Sequence, residues 1–128
     1  MKTRHILLIA MTCSLQLIFA QKKNIGKCGL DVVKSYTQEA FGKNIGYYVE
    51  FINNAPSPVD AIKWKAYFYD NFGTLKGERE GEWSSGNFIS PIEPGKTTKD
   101  LETNWVDKAT KVYIKILKVH FTDDRSCK

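Results

Sequence analysis

The sequence predicts an all-β sandwich of about seven antiparallel strands, and three observations carry that reading. Apolar and polar residues alternate along Val59 to Leu75, along Ile45 to Asn53 and, with one change of phase, along Lys111 to Phe121. This is the two-residue period of a strand with one buried face. Turn chemistry separates the runs: Asn53-Asn54-Ala55-Pro56-Ser57-Pro58, Asp70-Asn71-Phe72-Gly73 and Pro91-Ile92-Glu93-Pro94-Gly95. No stretch has the spacing of a long amphipathic helix, so a βαβ arrangement is disfavoured.

The chain opens with Lys2, Arg4 and His5, runs through mostly apolar residues from Ile6 to Phe19, and turns polar after Ala20. That order is the order of an export signal. Residues 1–20 are read as a signal peptide, residues 21–27 as a flexible lead-in and residues 28–128 as a single β-sandwich domain. A retained anchor or a lipidated Cys13 are the alternatives, but the apolar run is short for a membrane span and Ala10-Met11-Thr12 is a poor approach to a lipidated cysteine. The mature chain is expected to be exported, periplasmic or extracellular, without a transmembrane segment.

Leu30 to Tyr36 reads as the first strand, followed by a loop over Thr37 to Asn44 or a short helix over Thr37 to Phe41. In the second strand, Ile45 to Asn53, Tyr47, Val49 and Phe51 share one face and Tyr48, Glu50 and Ile52 the other. The strongest strand follows, with Ile62, Trp64, Ala66 and Phe68 inward and Lys63, Lys65, Tyr67 and Tyr69 outward. Thr74 to Glu80 is charged and glycine-interrupted, as an exposed edge strand is, and Trp83 and Phe88 mark a weak, bent strand. Pro94-Gly95 suits the centre of a type II turn. Thr97 to Thr103 is then a polar strand, and Trp105, in the return over Asn104 to Ala109, covers one end of the core. The last strand carries two apolar sets, Val112, Ile114 and Ile116, then Leu117, Val119 and Phe121; a β-bulge near Ile116 and Leu117 puts both on one face.

The chain of 128 residues, 42% of them apolar, has room for one domain with its own core. Its formal charge of +5 falls to +3 once Lys2 and Arg4 leave with the signal, and the remaining Lys and Arg are scattered among acids. That argues against nucleic acid as a partner. Cys13 lies inside the predicted signal, which leaves Cys28 and Cys127 near the two ends of the domain. Their simplest pairing is with each other, closing a loop of about 100 residues and contributing up to ~4–5 kcal/mol. Free thiols or an intermolecular bond remain the alternative.

Catalytic chemistry has few candidates. His120 is the one histidine outside the predicted signal, and its strand phase turns it outward beside Lys118 as a solvated group. One His with two distant Cys is not a zinc set. Glu78, Glu80 and Glu82 read as a charged edge and Asp123-Asp124 as a strand end, without the ligand spacing of a calcium loop. Gly95-Lys96-Thr97 resembles the end of a phosphate-binding loop, yet Ser90 stands where the first glycine belongs, so it reads as a turn. No enzyme activity, cofactor or metal is expected.

Tyr69-Asp70-Asn71-Phe72-Gly73, preceded by Asn53, Asn54, Val59 and Ile62 and followed by Pro94-Gly95-Lys96-Thr97, resembles the FxLYD-type immunoglobulin-like domains of exported bacterial proteins across residues 45 to 121. Ala66 stands where the signature's first Phe falls, and Phe68 where its Leu falls. The resemblance implies an immunoglobulin-like sandwich at the cell envelope and brings no catalytic residues. In such a sandwich the third strand pairs with a late strand. The outward sets Lys63, Lys65, Tyr67, Tyr69 and Lys111, Tyr113, Lys115 then lie side by side as a Lys/Tyr face. The expected role is a non-catalytic binding or interaction module of the bacterial envelope, its partner an envelope protein or an anionic glycan or lipid surface. Two alternatives accompany it: a carbohydrate- or anionic-lipid-binding module that uses the Lys/Tyr face, and a secreted hydrolase inhibitor that uses the loop Asn53 to Pro58 or Ser84 to Pro91.

Overall fold

Strand alternation with intervening turns yields seven strands in a computed structural model: β1 Leu30–Ala40, β2 Lys43–Asn53, β3 Val59–Tyr69, β4 Leu75–Ser84, β5 Thr97–Glu102, β6 Lys111–Phe121 and β7 Ser126–Cys127. The structure describes residues 26–127; the predicted signal peptide and most of the lead-in lie outside the described residues. A three-stranded sheet in the order β1-β2-β5 packs on a four-stranded sheet in the order β4-β3-β6-β7. Every pairing is antiparallel. The second strand pairs with the fifth and the third with the sixth, the connectivity of an immunoglobulin-like sandwich.

The inner face of β3 is the centre of the core: Ile62, Trp64, Ala66 and Phe68 are all buried. Opposite them on β6 stand Val119, Ile116, Ile114 and Val112. Lys63 faces Lys118 while Trp64 faces Ile116, so Leu117 is the extra residue of a bulge. Val119 and Phe121 return to the buried side with Val112, Ile114 and Ile116, while Leu117 itself stays outside the core. From the other sheet, Phe51 packs on Trp64 with ring centroids 5.2 Å apart, and Tyr47 meets Phe68 edge-on at 5.7 Å. The Trp64 indole N–H, which burial would leave unpaired, donates to the Tyr47 hydroxyl at 3.0 Å. Trp105 caps this end of the core against Phe68 at 4.9 Å.

Three local expectations need correction. Thr37 to Ala40 is neither loop nor helix but the continuation of β1, because Phe41 and Gly42 take positive φ (54° and 74°) and make a two-residue turn that holds Ala40 opposite Lys43. The edge strand and the weak strand after it are one element, β4, which runs beside β3 from Leu75 to Ser84. Its Gly81 does not interrupt the ladder: the Trp64 ring occupies the space a Cβ would need there. Phe88 lies beyond β4 in the following loop. Finally, Lys111 to Phe121 is not the last strand, because Ser126 and Cys127 form a short one beside β6; the expected pairing of Cys127 with Cys28 fits there, across a Cα–Cα distance of 6.3 Å.

Asn53, the buried polar residue at the end of β2, organises the opposite end of the sandwich. Its side-chain amide donates to the carbonyls of Ser57 (2.9 Å) and Ile92 (2.8 Å), and its Oδ1 accepts from the Ala55 N–H at 2.9 Å. The turn at Pro94-Gly95 is closed by the Lys96 N–H donating to the Glu93 carbonyl at 3.0 Å, with Gly95 at φ 81° as a type II turn requires.

Candidate functional site: the outer face of the four-stranded sheet

With the inner faces of β3 and β6 committed to the core, pleating turns the residues between them outward. The antiparallel register then aligns Lys63 with Lys118, Lys65 with Lys115, Tyr67 with Tyr113, and Tyr69 with Lys111. All seven residues predicted for the Lys/Tyr face therefore share one surface, and the bulge adds Lys118. Tyr69 and Tyr113 meet diagonally, edge to face, with centroids 5.5 Å apart.

The two strands differ electrostatically. Lys63 pairs with Glu82 at 3.2 Å and Lys65 with Glu78 at 3.4 Å, both glutamates coming from the outward side of β4. Lys111, Lys115 and Lys118 on β6 make no ion pair among the described residues. Like charges directly opposite one another across a strand pair are unfavourable, and here two such pairs are consecutive. β4 neutralises the β3 side of that arrangement, leaving a line of unmatched ammonium groups along β6.

At the Asn53 end of this face a depression of about 290 Å³ opens over Ala61, walled by Lys63, Ser84, Lys118 and His120. His120 points outward, as its strand phase predicts. It is not simply solvated, however: its Nδ1 lies 2.6 Å from Asp60 Oδ1, in a half-buried pair, and its Nε2 lies 3.9 Å from Asp124. Strict alternation puts Asp60 on the same side as Ile62. A register shift between Val59 and Ala61 makes Asp60 an extra residue and brings it beside the histidine, which is why alternation alone misses the pair. The nearest hydroxyl in the wall, Ser84, stands across Ala61 from His120, two strands away. Ser126 stands directly opposite His120 on β7, but no hydrogen bond joins the two, so among the described residues the aspartate-held imidazole makes no hydrogen bond to a hydroxyl.

Among the described residues no three His, Cys, Asp or Glu side chains gather as a metal site, and no helix is long and apolar enough to cross a membrane. Compared with protein-family models, with curated proteins and with solved structures, the chain matches none.

Proposed function

We propose that the protein is a non-catalytic, exported binding module of the bacterial envelope, and that the Lys/Tyr face holds an acidic glycan. The observation behind this reading is the β3–β6 register. It sets Lys65 against Lys115 and Tyr67 against Tyr113, with the β6 lysines unmatched by any acid of the sheet. An extended chain bearing carboxylate, sulfate or phosphate groups relieves that repulsion, while the tyrosines offer flat apolar surface to sugar rings. The FxLYD-type resemblance agrees with an envelope location.

The test uses a soluble acidic polysaccharide and a neutral one of similar length. Binding to the acidic polymer is expected to weaken as salt shortens the Debye length to below ~8 Å. It should fall at least about tenfold in the variant Lys111→Glu with Lys115→Glu, a change of ~1.4 kcal/mol or more. Unaltered affinity in that variant, or equal affinity for the neutral polymer, refutes the reading. The hydrolase-inhibitor alternative draws on the loop from Ser84 to Pro91, where Phe88 is fully exposed; it requires that Phe88→Ser abolish inhibition of a target hydrolase while leaving polysaccharide binding intact.

A further inference from the structure

Two phenylalanines stand at the tips of two hairpins with no packing partner. Phe41, in the β1–β2 turn, is 104% exposed, and Phe72, in the β3–β4 turn, is 94% exposed. Neither serves the fold. Phe41 occupies a left-handed position (φ 54°) that Asn or Gly takes without strain, at a penalty of about 1 kcal/mol for other residues. Phe72 is presented by a rigid turn: Asp70 Oδ1 accepts from the N–H groups of Phe72 and Thr74, each at 2.9 Å. That hydrogen bonding holds the Asp70 carboxyl below its usual range.

The tips belong to different sheets but to one end of the sandwich, because both are tied to the segment before β6. The Asn44 amide donates to the Ala109 carbonyl at 3.3 Å, and the Thr110 hydroxyl donates to Asn71 at 2.9 Å. Between them lies a depression of about 300 Å³ lined by Lys43, Asn44, Trp105, Asp107, Lys108 and Thr110. Ile45 and Leu75, just behind the tips, are also exposed, at 41% and 47%. Phe41 and Phe72 stand on separate turns, and cations flank the depression between them: Lys43 and Lys108 on its walls and Lys111 at the top of β6. Asp107 and Glu39 oppose these charges, while Asp70 is engaged with its own turn and with Lys76 at 3.6 Å.

We propose that this end of the sandwich docks on an anionic lipid surface, with Phe41 and Phe72 entering the boundary between headgroups and acyl chains and Lys43 and Lys108 meeting the phosphates. Apolar tips on separate fingers need no preformed complementary groove in a fluid interface, and basic residues beside them add attraction to anionic headgroups. Tyr69 and Tyr113, behind Phe72, then sit at the depth where amphipathic rings are favoured. The inference goes beyond the Lys/Tyr face: Phe41, Phe72, Lys43 and Lys108, which carry it, lie outside that face, and only Lys111, Tyr69 and Tyr113 at its end are shared with it.

Co-sedimentation of the exported protein with phosphatidylcholine vesicles, with and without phosphatidylglycerol, tests it. Native protein is expected on the anionic vesicles. Phe41→Asn with Phe72→Asn should lower the partition coefficient at least about tenfold, a modest share of the transfer free energy of two Phe side chains. Asn suits the left-handed position of Phe41 and is a common turn residue at the exposed position of Phe72, so loss of binding in that variant is not loss of fold. Lys43→Glu with Lys108→Glu should remove the preference for phosphatidylglycerol, and Phe72→Trp should shift its emission to the blue on anionic vesicles. Native protein that ignores vesicles, or an Asn variant that binds them as native does, overturns the proposal. In either case retained binding of acidic polysaccharide leaves the Lys/Tyr reading standing, and its loss in the Lys111/Lys115 variant alone bears only on that reading.

Discussion

β3 and β5 both turn one side toward the core, yet they are built on opposite terms. β3 is hydrogen-bonded on both sides, to β4 and β6, and its inner positions are Ile62, Trp64, Ala66 and Phe68. β5 pairs only with β2, and its inner positions, opposite Phe51, Val49 and Tyr47, are Thr98, Asp100 and Glu102. Burial pushes both of these carboxyls above their ordinary range, and Asp100 adds to the rise at Glu102 by repulsion. A central strand is fixed by what packs on it. An edge strand is also shaped by what must not add to it, and inward-leaning charges keep another chain from extending the sheet.

The sharpest way to break this contrast is to hollow out each strand in turn. Trp64→Ala should destabilise by ~3–5 kcal/mol in urea unfolding, because it opens a cavity and removes the N–H that meets the Tyr47 hydroxyl. Thr98→Ala should change stability by less than about 0.5 kcal/mol. Comparable losses at the two positions contradict the distinction between centre and edge. Gly81→Ala is the next step down, at about 1–3 kcal/mol, since its methyl group enters the Trp64 ring and one of them must move.

Tyr47→Phe sharpens the comparison where the strands meet. It strands the Trp64 indole N–H in the core, at about 1–3 kcal/mol. Burial, opposed by the Trp64 hydrogen bond, pushes the Tyr47 hydroxyl up to about 12. A group whose folded pKa is raised contributes stability that is complete below its unfolded pKa, about 10 for tyrosine, and is lost as pH rises through the folded value. The native protein should therefore lose stability between pH ~10 and pH ~12 through this group, and Tyr47→Phe should flatten that part of the profile. An unchanged alkaline profile in the variant breaks the assignment.

How much of this was legible in the residues follows the same division. The β3–β6 ribbon was readable down to its bulge, because the phase change at Ile116 and Leu117 is printed in the apolar pattern and burial on both sides enforces it. The Lys/Tyr face came with it, since outward positions are fixed once inward ones are known. Where a feature depends on another strand, the pattern is silent. Gly77 and Gly81 look like breaks in β4 until Trp64 and Val106 are placed against them. Asp60 looks like an inner residue until a bulge sets it against His120. Phe41 next to Gly42 does not look like a hairpin turn, because Phe is a poor residue for positive φ; the turn is held by the long β1–β2 pairing on either side of it.

The smallest expected effect bears on the edge itself. Asp100 and Glu102 have raised folded pKa values, so each binds more protons in the native state than in the unfolded chain. Their stabilising contribution is complete below the unfolded values, near pH 4, and is lost as pH rises through the folded ones. At neutral pH both are desolvated charges, so Asp100→Asn with Glu102→Gln should raise stability there by less than about 1 kcal/mol after solvent screening. The gain should vanish at pH ~3, where the native carboxyls are protonated too. If the acids serve to block the edge, the same variant should be more stable as a monomer and yet self-associate at high concentration, by adding a strand at β5. Analytical ultracentrifugation separates the outcomes. A stabilised variant that stays monomeric leaves the acids with a solvation penalty and no protective role, and the contrast between β3 and β5 then reduces to burial alone.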